Sequence, residues 1–534
     1  MKFKYLFLAL FFIGFKAFSQ ENQNILFTID DEPYYSQEFL TVYKKNLQLV
    51  TDSKSDLGSY LKLFIDYKLK VKEGKALGLD TLQKFKNELK QYKSNLVLPY
   101  LKDKEVTNNL IKEAYDRLKK EVNVSHILIF LNPDASPKDT LTAYNALIEA
   151  RNIILEGNDF AEIAKKYSKD PTVEQNGGRI GYFTALQMVY PFENMAFKTP
   201  VNEVSMPFRT KFGYHILKVN DIRESEGEVE VAHIMFKNDS TLAVKRKIDS
   251  VYKVLLTDKT GFFELAKKVS EDRASGMKGG ILAKFGTGKM IEDFSKVSFS
   301  LKNEGDISKP FKTQFGWHIV KLIKKYPIDS FEKMEGKLKQ EVERDERSNL
   351  ISKSVIDKLF QQYTIIVNEE ALQQFHIEGW KNNSENFHQN LLSINNKNIL
   401  QKRFISYLKT VSNMPLNEAF AAFKEKEVLE YYTENIENSN AEFATTYKEF
   451  NEGLLLFDLL EKEVWEKAKD NNGLQNYFNS NKKKYKSNEL KAIKGEVISD
   501  YQNYLEEQFS KQLRDKYKVK IIGSEKKSLK KMKI

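Results

Sequence analysis

Histidine is scarce in this chain of 534 residues, and four of its six histidines occupy corresponding places in two stretches of sequence. His126 and His233 each lie in an alternating segment typical of a half-buried strand, and His215 and His318 each follow a Phe-Gly-aromatic sequence. One such histidine would most often be a structural core residue. Four in matching places favour two copies of one polar site instead.

Other kinds of chemistry find little support in the sequence. The histidines lack the His-x-x-x-His or carboxylate spacing of a metal site, and no nucleophile elbow accompanies them. Cysteine is absent, which excludes disulfides, thiolate metal sites and a cysteine nucleophile. We therefore predict no metal and no cofactor.

The net charge of +11 arises from 85 basic and 74 acidic residues that are interleaved along the chain. A nucleic-acid footprint would need a clustered basic stripe, so no nucleic-acid partner is predicted.

The four histidines belong to an internal repeat. Val122-Asn-Val-Ser-His126 returns as Val229-Glu-Val-Ala-His233 after 107 residues, Gly177-Gly178 returns as Gly279-Gly280 after 102, and Thr210-Lys-Phe-Gly-Tyr-His215 returns as Thr313-Gln-Phe-Gly-Trp-His318 after 103. Such self-similarity predicts two homologous domains, at residues 122–223 and 229–326.

Two helices follow the first strand of each copy. In the first copy, the longer helix ends at Gly157 and should bury one face, formed by Leu141, Tyr144, Leu147, Ile148 and Leu155. The shorter helix, capped by Asp159, carries Phe160, Ile163, Ala164 and Tyr167 at helical spacing.

The flanks of the repeat consist of different material. Residues 20–120 are predicted to be mainly helical, with an amphipathic face formed by Leu61, Phe64, Ile65 and Leu69. Residues 330–534 are also predicted to be mainly helical, with strand-like segments at 363–367 and 519–522. Neither flank has a recognisable catalytic spacing.

Residues 1–19 have the pattern of a secretory signal peptide: Lys2 and Lys4, an apolar run at 5–15, and the small residues Ala17 and Ser19. An uncleaved membrane anchor would need about 20 apolar residues, and Lys16 interrupts the run too early. We therefore expect an exported, soluble, periplasmic protein without stable membrane insertion.

Taken together, the repeated motifs resemble the parvulin-type (PpiC-like) peptidyl-prolyl cis-trans isomerases. The match rests on His126-Ile-Leu, Tyr167-Ser168-Lys-Asp170, Gly177-Gly178-Arg-Ile180, Met188, Pro191-Phe192 and Phe212-Gly213-Tyr-His215, and on their counterparts in the second copy. The resemblance implies an α+β fold, in which each domain is a small antiparallel sheet wrapped by helices and the flanks are mainly helical.

The resemblance also assigns residues to two sites. The catalytic residues it implies are His126, Asp170, Thr210 and His215 in the first copy and His233, Asp272, Thr313 and His318 in the second. The residues it implies for the proline pocket are Ile180, Met188, Phe192, Leu282, Met290 and Phe294. In this family the paired histidines would be hydrogen-bonded through their rings and would organise a polar network rather than transfer protons.

An exported chain with tandem parvulin domains and helical flanks is similar to the SurA-like periplasmic chaperones. The implied partners are unfolded or partly folded exported polypeptides, including outer-membrane proteins. One hypothesis is a foldase that isomerises X–Pro bonds, and the alternative is a holdase whose parvulin domains bind clients without significant turnover. A weaker third is a maturation factor for one dedicated partner. The first copy is expected to be the better catalyst, because Ala283 and Arg273 replace Gly181 and Pro171 in the second.

Overall fold

The computed structural model describes residues 24–46, 57–133, 135–237, 242–257, 261–411 and 414–524. The predicted signal at residues 1–19 lies outside them. The chain divides into two compact units, which we call the split unit (up to Leu98 and from Thr433) and the central unit (Pro99–Tyr432). Over the described ranges, no helix combines the length and apolar character that a membrane span requires.

The N-terminal part of the split unit is a β-hairpin followed by three helices. Its elements are β1 (Ile25–Ile29), β2 (Glu32–Tyr35), α1 (Ser36–Asn46), α2 (Leu57–Ala76) and α3 (Gln83–Val97). The face predicted for α2 is confirmed, since Leu61, Phe64, Ile65 and Leu69 are all buried.

The central unit begins with α4 (Lys104–Leu118) and continues into the two repeats. The first repeat contains β3 (Lys120–Phe130), α5 (Pro137–Leu155), α6 (Phe160–Tyr167), α7 (Val173–Asn176), β4 (Arg179–Phe183), α8 (Tyr190–Lys198), β5 (Phe208–Thr210) and β6 (Gly213–Glu224). The second contains β7 (Glu228–Lys237), α9 (Leu242–Thr257), α10 (Phe262–Val269), α11 (Arg273–Gly276), β8 (Phe285–Gly286), α12 (Glu292–Ser300), β9 (Phe311–Thr313) and β10 (Gly316–Tyr326).

Both repeats form a four-stranded antiparallel sheet with the same strand order, β4-β3-β6-β5 in the first and β8-β7-β10-β9 in the second. Helices cover these sheets, and the predicted α+β fold class is confirmed. The Asp159 cap of α6 is also confirmed, because its side chain accepts a hydrogen bond from the Glu162 amide.

The buried face of α5 differs from the prediction. Leu147 of the predicted face is buried, but Leu141 and Leu155 are exposed, and the other buried residues of α5 are Ala143, Ala150 and Ile154. The predicted face followed the larger apolar side chains, whereas the short alanines allow the helix to lie close to the sheet.

Several helices and a small sheet follow the repeats. These elements are α13 (Phe331–Arg344), α14 (Arg347–Gln362), β11 (Ile365–Val367), α15 (Glu369–Gln373), β12 (Asn390–Ile394), β13 (Lys397–Leu400), α16 (Gln401–Leu408) and α17 (Leu416–Asn435). These are followed by α18 (Ala441–Leu460), a π-helical turn (Glu461–Trp465), α19 (Glu466–Ala468), α20 (Asn471–Ser480), α21 (Lys494–Lys516) and β14 (Val519–Ile521). The C-terminal region is mainly helical, as predicted, but it also contains the three-stranded sheet β11-β12-β13.

This small sheet repeats the architecture of the split unit. The sheet β14-β1-β2 pairs Phe27 with Ile521, and the sheet β11-β12-β13 pairs Leu392 with Val367 in the same register. In both, a helix precedes the first strand in this order, and the hairpin leads into a helix with a buried phenylalanine, Phe39 in one and Phe404 in the other. The two modules differ in connectivity, because β14 comes from the far end of the chain whereas β11 is local.

Candidate active sites

The two central strands of each repeat place its histidines on one face of the sheet. In the first repeat, His215 on β6 lies opposite Leu128 on β3, two residues along from His126. Because side chains alternate along a strand, both histidines project to the same side as diagonal neighbours. In the second repeat, His318 lies opposite Met235, two residues from His233.

The segment after α6 brings Asp170 to the first histidine. The Leu128 amide donates to Ser168 Oγ over 3.1 Å, and the Lys169 amide donates to the Leu128 carbonyl over 2.7 Å. These bonds hold the chain against β3, and His126 Nε2 lies 2.9 Å from Asp170 Oδ2. The physical role of the Ser-x-Asp motif is therefore to fasten the carboxylate next to the ring.

Thr210 completes the polar network at the other histidine. Its Oγ1 lies 2.9 Å from His215 Nε2 and accepts a hydrogen bond from the Phe212 amide. The rings of His126 and His215 have centroids 5.7 Å apart. The ring-to-ring hydrogen bond that the resemblance implies is not made in this structure, where both Nδ1 atoms are buried without a partner.

Burial controls the protonation of these groups. It lowers the pKa of His126, although Asp170 acts in the opposite direction, and it lowers the pKa of His215 to about 3 with help from the nearby His126. For Asp170, burial acts to raise the pKa, but hydrogen bonds from Thr172 and His126 leave it below the ordinary value. At neutral pH the rings are therefore uncharged and Asp170 is an anion. His126 consequently carries its proton on Nε2 and donates a hydrogen bond to the Asp170 carboxylate.

An apolar wall borders the network. The ring of Phe192 meets both histidines edge-on, at 5.7 Å from His126 and 5.4 Å from His215. Ile180 and Met188 are half-buried and pack against the cluster that contains Phe192. The three residues predicted for the proline pocket are thus brought together on one side of the polar groups.

The second site has the same plan. His233 Nε2 lies 2.9 Å from Asp272 Oδ2, and Thr313 Oγ1 lies 2.9 Å from His318 Nε2. Burial lowers the pKa of His233 and brings that of His318 to about 4. The wall residues Leu282 and Met290 pack against the cluster that contains Phe294.

One polar residue of the second site was missed by the sequence reasoning. Ser275 Oγ lies 2.9 Å from His233 Nε2 and also bonds to the Asp272 carboxylate. The corresponding position in the first repeat is Val173, where Thr172 binds the carboxylate instead. The spacing Asp-x-x-Ser was the available signal, since it places the hydroxyl one helical turn after the acid.

The paired glycines hold the strand that carries the first histidine. The His126 amide donates to the Gly178 carbonyl over 2.8 Å, and a Cβ at Gly178 would lie 2.4 Å from the His126 carbonyl oxygen. Gly178 also has a φ of 81°, a conformation that favours glycine. Gly280 stands in the same relation to His233, which explains the second glycine of the Gly-Gly motif in both copies.

The chemistry that this arrangement supports is binding and orientation. Each site offers an apolar wall, a carboxylate and neutral hydrogen-bonding rings. Over the described residues, no group of three or more His, Asp or Glu side chains is placed to hold a metal ion.

Comparison with known proteins identifies the repeats. Family models described as the PPIC-type PPIase domain match residues 109–223 and 233–324. The chain is 32% identical to the chaperone SurA of Pseudomonas syringae pv. tomato over 241 residues, 43% of this chain and 55% of the relative. It is 30% identical to the chaperone SurA of Nitrosococcus oceani over 275 residues, 46% of this chain and 64% of the relative.

The chain thus spans little more than half the length of the curated relatives it matches. Among solved structures, the peptidylprolyl isomerase PrsA from Bacillus anthracis is 28% identical, with 25% of this chain and 60% of that chain covered and a TM-score of 0.19. The matched family models and the repeated strand order lead to one assignment. The two repeats, matched over residues 109–223 and 233–324, are PPIC-type, or parvulin-type, peptidyl-prolyl isomerase domains in tandem.

Proposed function

We propose that this protein is an exported peptidyl-prolyl cis-trans isomerase and chaperone that assists the folding of secreted or outer-membrane proteins. The observation that carries the proposal is the duplicated site, in which a carboxylate, two buried histidines and a threonine adjoin a phenylalanine wall. We place the domains that carry these sites at residues 122–223 and 229–326.

Isomerisation breaks no covalent bond, but the partial double bond of the amide imposes a barrier of about 18–20 kcal/mol. The enzyme must therefore bind the twisted amide more tightly than the planar one. In the first site, Ile180, Met188 and Phe192 would remove the proline ring from water and so weaken solvation of the planar amide. In the second site, Leu282, Met290 and Phe294 correspond to these three residues in the same order.

The polar residues would orient the bound amide and would not form or break bonds with it. Asp170 places a fixed negative charge beside the bound amide, while neutral His126 and His215, together with Thr210, hold the network in one arrangement. The second site would use Asp272, His233, His318 and Thr313 in the same roles. A general acid or base would need a pKa nearer neutrality, and the lowered pKa values of the histidines favour the structural role.

Client binding is supported by the relatives that bear the name chaperone SurA. The split unit also contains a cavity of about 830 Å³ lined by Tyr35, Tyr60, Phe64 and Tyr67, together with several ion-paired side chains. Aromatic surfaces of this kind suit unfolded polypeptide. We propose periplasmic clients, with the signal at residues 1–19 directing export.

The proposal is tested by exchange NMR on an X–Pro peptide with the full chain. We expect faster cis–trans exchange with the native protein, a partial loss with His126→Ala or His233→Ala, and a loss of at least tenfold with both changes together. The exposed His376 provides the matched control, since His376→Ala should leave the exchange rate unchanged. If the native chain left cis–trans exchange of the peptide at its uncatalysed rate, the proposed isomerase activity would be refuted.

The same variants separate the holdase alternative, which the aromatic-lined cavity favours. A protein that only holds its clients would suppress aggregation of an unfolded outer-membrane protein, yet show no isomerase activity in any form. An enzyme that also holds clients would keep this suppression when both His126 and His233 are replaced.

A further inference from the structure

The loop between β4 and α8, residues 184–189, carries Met188 of the first site and contains a strained residue. Leu186 has a φ of 65°, in the left-handed region that non-glycine residues rarely adopt. The corresponding residue of the second domain is Gly288, with a φ of 81°. Glycine takes this conformation without cost, so only the first loop needs something to hold it.

Glu193 stabilises the left-handed conformation of Leu186. Its Oε2 accepts a hydrogen bond of 2.7 Å from the Leu186 amide, and its Oε1 accepts from Arg117 Nη1 over 2.9 Å and from Arg347 Nη2. The Glu193 side chain is completely buried. A buried carboxylate is stable only when it is paired, so the hydrogen bond between Glu193 and the Leu186 amide depends on Arg117 and Arg347. In the second domain, Ser295 occupies the position of Glu193.

Arg347 comes from outside the isomerase domain. It is the first residue of α14 and is completely buried, with Nη1 bonded to Asp345 and its guanidinium 4.4 Å from the centre of the Tyr190 ring. A cavity of about 480 Å³ lies between the α13–α14 junction and the loop, and its lining includes Met188, Lys211 and Glu346. The junction therefore borders the first site directly.

We infer that Arg347, acting through Glu193, is a positioning residue of the first site, where it holds Leu186 and with it Met188 in the binding conformation. The α13–α14 junction then forms the outer wall for the residues that flank the proline. The second site has no such dependence. This inference rests on the proposed function of the first site in binding X–Pro segments.

The test uses the full chain with His233→Ala, so that turnover reports the first site alone. In this background Arg347→Met should raise the KM for an X–Pro peptide about tenfold and change kcat much less. The reason is that Met188 is displaced while the polar network of the site keeps its arrangement. Adding Leu186→Gly should restore most of the KM, since glycine needs no external hold. A milder Arg347→Lys, which keeps the charge but not the fork, should give an intermediate KM.

The mirror experiment places Arg347→Met in a His126→Ala chain, where the KM of the second site should stay unchanged. An unchanged KM at the first site in a folded Arg347→Met protein, or no recovery with Leu186→Gly, would overturn the inference.

Amide exchange and peptide binding separate this inference from the proposed function. If the His233→Ala chain shows no turnover, the isomerase proposal fails for the first site. Arg347→Met should still speed exchange of the Leu186 amide and weaken the peptide-induced shift of the Met188 methyl resonance. If neither changes, the positioning role is refuted as well.

Discussion

At each candidate site two imidazole rings and one carboxylate share a buried network, and their surroundings determine which of them carries charge. His126, His215, His233 and His318 are all buried, and burial lowers the pKa of each. Asp170 and Asp272 keep pKa values below the ordinary one because hydrogen bonds outweigh their burial. The sites therefore hold one negative charge each, without a compensating imidazolium.

This arrangement makes the stability of the domains sensitive to acid in a defined range. The unfolded histidines take up protons near pH 6.5, whereas folded His215 does so only at about 3 and folded His318 at about 4. Between these limits the unfolded state binds more protons, so the free energy of unfolding should fall by about 1.4 kcal/mol per pH unit for each such histidine as the pH decreases. The aspartates add to this only below about pH 4, where protonation of the unfolded carboxyls begins.

NMR titration of the histidine ring resonances in the full chain checks this prediction. The rings of His215 and His318 should show no protonation shift between pH 8 and about pH 5. A midpoint near 6.5 for either buried ring would contradict the structure and restore proton transfer as a candidate mechanism.

At the residue scale the sequence predicted the groups that could be recognised by repetition. The eight polar residues and six wall residues were assigned from motifs that occur twice, and the structure places each set together. Ser275 and Glu193 escaped because each occurs in one copy only. Single residues of this kind become visible only through their contacts.

The two hairpin modules contain an ion pair with its charges exchanged. In the split unit, Glu38 is the third residue of α1 and accepts from Lys68 on α2 over 2.7 Å. In the central unit, Arg403 is the third residue of α16, and its Nε donates to Glu427 on α17 over 2.6 Å. Each pair follows the equivalent hairpin and precedes the equivalent buried phenylalanine, with the charges exchanged. Further ion pairs surround both, since Lys68 also contacts Glu452 and Arg403 also contacts Glu430.

Arg403→Glu should therefore destabilise the second module, because the buried Glu427 would face a second carboxylate. We expect a loss of about 2–4 kcal/mol, less than for a fully buried pair because Arg403 is partly exposed. Adding Glu427→Lys recreates the polarity of the first module and should recover part of this loss, because Glu430 would still face the introduced carboxylate. Urea unfolding followed by Trp380 fluorescence, with Trp317 and Trp465 replaced by Phe, measures the effect where Trp380 packs against this core.

Lys402→Glu is the matched control, since it makes the same charge change at the neighbouring exposed position. Equal losses for Lys402→Glu and Arg403→Glu would mean that net charge, rather than the pair, is responsible. Failure of the double variant to recover would show that the two modules are not equivalent at this position.

At the element scale, helices with a long apolar stripe could be predicted, but their orientation and their pairing partners could not. The stripe of α2 was correct, whereas that of α5 was rotated because small alanines form its contact surface. The sequence did not predict the second hairpin module, because it shares strand register and turn geometry with the first module but few residues. Asp30 and Asn395 both have a positive φ, and each side chain accepts a hydrogen bond from the amide just before β14 or β11, that of Lys518 or Thr364.

The split unit joins residues that are almost 500 positions apart. The Asp30 amide donates to the Lys518 carbonyl over 3.0 Å, and the Ile522 amide donates to the Leu26 carbonyl over 2.9 Å. The sequence predicted a strand at 519–522 but could not say where it would pair, since an isolated strand carries no record of its partner. The three-stranded sheet of this unit therefore combines a hairpin near one end of the sequence with a strand near the other.

Ile522→Pro tests whether the two units serve separable activities. Proline removes the amide that bonds to Leu26, and we expect the split unit to lose about 1–3 kcal/mol of stability. Hydrogen exchange followed by mass spectrometry should show faster exchange in residues 25–46 and none of this change in residues 120–223.

If the split unit holds clients, protection of an unfolded outer-membrane protein should weaken in this variant while X–Pro exchange keeps its native rate. Ile522→Ala is the control, because it removes the same side chain but retains the amide and should leave both activities near native. A parallel loss of isomerisation in Ile522→Pro would mean that the sites in the central unit depend on the sheet of the split unit, and that holding and isomerisation are not separable.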